Sequence, residues 1–496
     1  MGGETQVSAV TGSVFHDANG NGLRDTSERG IPGVLVSNGQ EVVTTGADGT
    51  YETHVTDPGQ VFVIKPRGWM VPVNEHNLPQ YHYLHHTQGS PDLNFPGIAP
   101  TGPLPEAVDF PLVKNPEPDR FRVLVFGDPQ PYSLQEVDYF LRDIVDEVAG
   151  AEDLAFGITL GDIVGDDLDL FEPLTSGIAK IGVPFWYVYG NHDMNFDAKT
   201  EQAADDTFER RFGPATYAFQ YGPVWFITLD NVIFPTPEDD DRYYVGGYRA
   251  DQIRFVENLL KHIPTDALIV FSQHIPLFSE DYTPKGTFRI EDRDRLFALF
   301  EQHPHTLSLS AHTHYMRQVR FGAEANWKAA RPHRHLNVGT TSGSWWRGAP
   351  DERGIPVATM RDGTPNGYGF ITFDGNDYAI RWKCANRDAD HQIGLFATRT
   401  VARGDPWSGY ATANFYAGAA DDTLEFRVDG GPWQPMRYLV RPDPGYSVAV
   451  YNQALSAHPS NGRALPAPEL CHHLWAARLP SNLSVGTHAL EVRATD

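Results

Sequence analysis

The sequence predicts a mixed α/β (α+β) domain set between two smaller β-sandwich domains. Three observations lead there. Between about residues 121 and 383, short apolar runs alternate with stretches of helical period. On either side the helical period fades, and strand-like runs are separated by Gly- and Pro-containing turns. Within the central part, five apolar runs each stop at a side chain that can bind a metal. The expected domains are 1–114, 115–385 and 386–496. A chain of 496 residues is too long for one hydrophobic core.

In the first region, residues 33–37 and 41–45 read as strands, and Asp48-Gly49 reads as a hairpin turn between 42–45 and 51–55. Residues 66–105 are rich in loops, and 114–120, with Pro116 and Pro118, reads as a linker. Before the first turn lies a twelve-residue segment from Asp17 to Glu28. Its oxygen donors follow the EF-hand plan: Asp17, Asn19, Asn21, the Leu23 carbonyl, Asp25 and Glu28, with Gly22 at the sharp bend. No helices flank it. The segment resembles the calcium-bearing B-type repeats of bacterial surface proteins, and that resemblance implies a structural Ca²⁺.

In the central region, residues 134–149 carry apolar side chains at a helical period, with Ser133 and Glu136 as a capping pair and Gly150 as a stop. Residues 251–262 and 292–302 predict two further helices. The five apolar runs are 123–126 before Asp128, 158–160 before Asp162, and 185–188 before Asn191 and His192. The others are 268–271 before His274 and 307–309 before His312 and His314. Buried strands place such residues at their carboxyl ends, where α/β sheets hold ligands. Past residue 386, segments 423–428, 438–441, 446–451 and 488–493 predict strands and no helix.

The five stops read Gly127-Asp128-Pro129-Gln130, Gly161-Asp162-Ile163-Val164-Gly165-Asp166, Gly190-Asn191-His192-Asp193, Ser272-Gln273-His274 and Ala311-His312-Thr313-His314. In order and spacing this set resembles the calcineurin-like metallophosphoesterases of the three-domain type. The resemblance implies a central αββα sandwich and two cations, of Mn, Fe or Zn, that clamp a phosphoryl group and activate water. It implies that Asp162 bridges them. Asp128, Gln130 and His314 would complete one cation's donors, and Asn191, His274 and His312 the other's. His192 would protonate the leaving oxygen or steady the developing charge, and Asp166 or Asp193 would orient it or a ligand. The family usually has His where Gln130 stands; an amide oxygen there implies a weaker first site or one that prefers a harder cation such as Mn²⁺.

Two adjacent tryptophans, Trp345 and Trp346, with Arg347, sit in a Gly/Ser loop after a strand-like 335–338. They would either wall a pocket for the substrate or pack onto the C-terminal domain. Segments 231–249, with its three aspartates 239–241, and 278–291 are long enough to be lids.

A formal charge of −25 argues against nucleic-acid binding. No apolar run reaches the roughly 18 residues of a membrane helix. The expected partner is a small phosphoester; the sequence gives no oligomeric state. The first five residues carry no basic or apolar leader, and the calcium-type loop favours a secreted or periplasmic protein whose signal peptide has been removed over a cytoplasmic one. Cys384 and Cys471 could be one disulfide or two buried thiols. His82, His85 and His86 suggest solvated residues or a small metal site, and His473 stands alone. A reading of another class is a calcium-stabilised surface binding protein on a non-catalytic scaffold, motivated by Gln130.

Overall fold

Two β-sheets stack at the centre of the chain, and the five apolar runs are divided between them. In the computed structural model, which describes residues 7–236, 242–279, 287–404, 409–456 and 463–495, the first sheet has five strands. Its order is Phe185–Tyr187, Leu154–Thr159, Arg120–Phe126, Gly367–Asp374 and Asp377–Cys384. The first three run parallel, with Ile158 opposite both Val125 and Trp186, so three of the apolar runs end at one edge. The second sheet has six strands, and Ile269–Ser272 lies parallel to Thr306–Ser310, with Leu307 opposite Val270. The sheets' ends meet at a bridge between Gly127 and Thr340. Apolar side chains from both sheets, such as Phe126, Ile158, Phe226 and Phe271, are buried in one core.

The predicted helix 134–149 is present as Leu134–Phe140, a π-helical turn over Leu141–Val145, and Asp146–Val148. Ser133 Oγ accepts from Glu136 N at 3.3 Å, and Gly150 closes the run at φ +74°. Glu136 reaches back one residue further than a capping box requires, to Tyr132 N at 2.7 Å. The other two predicted helices are Ala250–Leu260 and Ile290–Leu299.

The N-terminal part holds two four-stranded sheets. Asp48-Gly49 does turn the chain, with Gly49 N donating to Gly46 O, but it makes no hairpin. Val42–Thr44 pairs with Leu35–Ser37 in one sheet, whereas Thr50–Thr56 pairs with Val7–His16 in the other. The turn therefore carries the chain across the sandwich; turn chemistry fixes a local bend, not the strand that each arm pairs with. The apolar core of this part is continuous with that of the central sheets, from Val10 through Phe62 to Phe255.

After residue 386 a four-stranded and a three-stranded sheet enclose a separate small core of Ala413, Leu424, Phe426, Met436, Trp475 and Ala477. Here a predicted strand is wrong: residues 446–451 lie inside the helix Pro444–Leu455. Asp443 caps it by accepting from Tyr446 N at 2.8 Å, and Pro444 occupies its first turn. Those signals override the β-favouring Val and Tyr of its body. Cys384 and Cys471 are free and buried.

Candidate metal centre

Each of the sequence-predicted ligands follows a strand of the two sheets, and the structure draws all seven to the edge where the sheets meet. Asp162 is the hub. Its Oδ1 lies 3.2 Å from His274 Nε2 and accepts from His192 N at 2.9 Å. Its Oδ2 accepts from Gln130 Nε2 at 3.4 Å, so this amide turns its nitrogen, not Oε1, toward Asp162. His274 Nε2 is also 3.0 Å from Asn191 Oδ1 and 3.2 Å from His312 Nδ1. Ligand atoms of Asp162, His274 and His312 all lie within 4.8 Å of one another. On the other side, His314 Nε2 lies 3.2 Å from Asp128 Oδ2. All of these side chains are at least half-buried, and Asp128, Gln130 and His274 are fully so.

The hydrogen bonds behind the ligands fix which atoms point inward. His274 Nδ1 is 2.8 Å from Leu160 O and His314 Nδ1 is 2.6 Å from Gly343 O, so each ring gives its N–H to a carbonyl and keeps an Nε2 lone pair. Lone-pair atoms therefore face one another across about 3 Å, as His314 Nε2 faces Asp128 Oδ2. Asp128 Oδ2 and Gln130 Oε1 are buried with no hydrogen-bond partner. Uncompensated acceptors of this kind are costly unless a cation sits among them, so the donor set fits metal ions.

The backbone is strained to achieve this. Asp128, Gln130, Asp162, Asp166, His312, His314, Trp345 and Trp346 all have positive φ, between +31° and +73°. Non-glycine residues rarely adopt that region, and a cluster of them marks a site held by its surroundings. At Gly190 any side chain is barred, because a Cβ would lie 2.1 Å from Asp162 N.

Charge is distributed accordingly. Burial works against the Asp162 carboxylate, but the His274 and His192 imidazoles outweigh it and hold its pKa well below the usual range. Burial likewise lowers His274, yet the Asp162 charge prevails and raises it to about 9; a cation competes with that proton for Nε2. Burial and the neighbouring His274 push His312 down to about 3, which keeps it a neutral ligand. His192 is partly exposed. Its Nδ1 is 2.6 Å from Asp166 Oδ1, and despite burial the Asp162 and Asp166 carboxylates raise it to about 9. Asp193 does not touch His192 through its side chain; it accepts from Gly190 N and Val164 N and so holds two of the loops.

Trp346 takes neither of the two expected roles, because it packs within the central domain beside Tyr139. Trp346 is buried and donates from Nε1 to Pro129 O at 3.0 Å, which rules it out as a pocket wall. Trp345 stacks on the His314 ring at 3.9 Å, with Arg347 and Arg361 beside its face. Residues 237–241 and 280–286 of the two expected lids lie outside the described residues.

Sequence reasoning missed the support behind the fifth loop. Asp362 Oδ2 accepts from Met316 N at 2.7 Å and faces His473 Nε2 at 3.0 Å, and all are buried. Arg361 donates to Thr313 O at 2.7 Å and pairs with Glu469 at 2.8 Å. His473 is thus not isolated. It lies 111 residues from Asp362 in the chain, and no local pattern announces such a pair.

Three family models cover almost the whole chain: the N-terminal domain of calcineurin-like phosphoesterase over residues 18–97, calcineurin-like phosphoesterase itself over 121–316, and its C-terminal domain over 335–496. The chain belongs to the calcineurin-like phosphoesterase family. Family membership supports metal-dependent phosphoester hydrolysis in general terms. Among solved structures, this calcineurin-like phosphoesterase is similar to a dimetal phosphatase from Danio rerio, at 12% identity over 53% of this chain and 95% of that one, TM-score 0.38. It is also similar to the purple acid phosphatase PPD1 from yellow lupin, Lupinus luteus, at 14% identity over 71% and 67% of the two chains, TM-score 0.39. No curated protein sequence matches it.

In the N-terminal part of this phosphoesterase, the calcium-type loop is folded around its own acids. Asp17 accepts from the backbone N–H groups of Gly20, Asn21 and Gly22 at 2.7 to 3.2 Å. Asp25 Oδ2 takes the amides of Asn19 and Asn21, and Glu28 accepts from Ala18 N and Asp25 N. Leu23 is exposed.

Proposed function

We propose that the chain hydrolyses a phosphoric ester at a dinuclear centre. Asp128, Gln130 and His314 would hold one cation, Asn191, His274 and His312 the other, and Asp162 both. The observation that carries the reading is the facing of lone-pair donors around Asp162, with buried Asp128 Oδ2 and Gln130 Oε1 left without a hydrogen bond. Bound cations supply Lewis acidity, neutralising the phosphoryl charge and making water a stronger acid. The chain's own part is proton transfer and orientation. Asp166 accepts the His192 Nδ1–H and fixes the ring, which leaves Nε2–H to protonate the departing oxygen as water attacks from the opposite side. Trp345, stacked on His314, keeps that ligand's ring in plane and offers an apolar rim to the substrate's leaving group.

Gln130 brings an oxygen where an imidazole is usual, so the first site would bind its cation more weakly or prefer a harder one such as Mn²⁺, while the second, with two imidazoles, would suit Fe or Zn. The segment from Asp17 to Glu28 would hold a structural Ca²⁺ through Asp17, Asn19, Asn21, the Leu23 carbonyl, Asp25 and Glu28. The folded loop supports this, and the abundance of calcium outside cells supports export. The test is turnover of a mono-aryl and a bis-aryl phosphate by protein loaded with Mn²⁺. Hydrolysis of either supports the reading and tells monoesterase from diesterase. No turnover of either at full metal occupancy would leave a binding protein on this scaffold.

A further inference from the structure

Three other ligand-type side chains converge away from this centre. His86 follows the strand His82–His85 of the N-terminal part. Asp206 and Glu209 lie one turn apart on the helix Asp206–Phe212 of the central domain, a spacing that puts both carboxyls on one face. One ligand atom from each of the three lies within 4.8 Å of the other two. His86 is 7% exposed and Asp206 2%, while Glu209 is half-buried and lines a cleft of about 410 Å³ that gives access.

Among the described residues the cluster is only partly balanced: Ala215 N donates to Glu209 Oε1 at 3.3 Å, and Ser90 bonds the Asp206 carboxyl. Asp206 Oδ1 is buried without a hydrogen-bond partner. Arg249, which lines the cleft, is committed to Glu201 at 2.8 Å and Asp230 at 2.5 Å. Asp205 and Asp251 add further acid to the walls. Burial pushes Asp206 up to about 6, and burial with the Asp206 charge pushes Glu209 up to about 8. Burial lowers His86, so its ring stays neutral and keeps a lone pair. A neutral imidazole and two buried carboxyls within reach of one point form a donor set for a divalent transition cation. The imidazole disfavours Ca²⁺ and Mg²⁺, which take oxygen donors.

We propose that His86, Asp206 and Glu209 bind a zinc-class divalent cation that fastens the N-terminal β-domain to the central domain. The site is independent of the phosphoesterase reading, because none of its ligands belongs to the dinuclear centre. Three protein donors leave one position of a tetrahedral zinc for water from the cleft.

The test uses the full chain, stripped by chelation and reloaded with Zn²⁺. Zinc per chain is counted by mass spectrometry for the wild type, His86→Ala and Glu209→Gln. Each variant is expected to hold one zinc fewer and to lose part of the zinc-dependent rise in Tm, with aryl-phosphate turnover unchanged. A folded Glu209→Gln with the wild-type zinc count would overturn the proposal. Anomalous diffraction at the zinc edge from wild-type crystals needs no variant: a peak among the three side chains supports the site, and its absence at saturating zinc contradicts it. An inactive protein that still binds this zinc would count against the phosphoesterase reading alone.

Discussion

The two halves of the proposed metal centre are built differently. The half with Asn191, His274 and His312 is nitrogen-rich and is held from within the central domain. Leu160 O fixes the His274 ring, and Asn231 Oδ1 accepts from His274 N at 3.2 Å. The half with Asp128, Gln130 and His314 is oxygen-rich and leans on the end of the chain. Gly343 O fixes His314, Trp345 covers it, and Asp362 with His473 anchors the loop that follows. Strain is heavier there too, with Asp128 at φ +31°, Gln130 at +41° and His314 at +55°. The β-domain with its own small core reaches the oxygen-rich half through His473 on Asp362 and Glu469 on Arg361.

The largest expected effect is from Asp162→Asn. It removes the group common to both halves, so both cations should leave together and turnover should fall to background, as measured by metal analysis and aryl-phosphate assay. Loss of one cation alone would contradict the sharing of Asp162 by both. His192→Ala should keep both cations and lower kcat by about 10²- to 10⁴-fold, the usual worth of a general acid. Unchanged turnover would remove His192 from the chemistry.

Asp362→Asn separates the halves. It should weaken only the oxygen-rich half, by roughly 10- to 100-fold in cation affinity, the range seen when support behind a ligand is lost. The same pair predicts a pH effect. Burial disfavours the Asp362 charge, but His473 outweighs it and holds the carboxyl below its usual 3.8. Burial also disfavours charge on His473, yet it is raised above 6.5; the Cys471 thiol beside it is itself pushed up by burial and uncharged near neutrality, so Asp362 is the effective partner. Stability from Asp362 is present above about pH 4 and lost in acid. Stability from His473 is present below about pH 6.5 and lost as pH rises through its raised value. Tm should therefore decline on the alkaline side in the wild type and less so in Asp362→Asn. The smallest effect is expected from Gln130→His, which should keep activity and shift the first cation's preference from Mn²⁺ toward Zn²⁺.

Sequence made one part of this site legible and hid another, for physical reasons. An apolar run that ends in Asp, Asn or His states locally both that a strand is buried and where its edge lies, so all seven proposed ligands could be named from the chain. What holds them was not visible. Asp362 and His473 are 111 residues apart, and His86 is 120 from Asp206; such pairs exist only after folding. The Tyr446–Tyr451 segment failed for the opposite reason. Its side chains favour a strand, but beyond the buried Tyr446 the segment's Val448 and Tyr451 are largely exposed, at 44% and 64%, so packing gives a strand little support and the Asp443-Pro444 cap decides. At Asp48-Gly49 the turn was right and its partners wrong, because each arm joins a different sheet.

The central claim is that two unlike cations share Asp162. Its most direct test is metal analysis of the purified full chain with anomalous diffraction at the Mn, Fe and Zn edges. The account predicts two ions beside Asp162, a harder one among Asp128, Gln130 and His314 and a softer one among Asn191, His274 and His312. A single ion, or two at positions that leave Gln130 Oε1 uncoordinated, would contradict it.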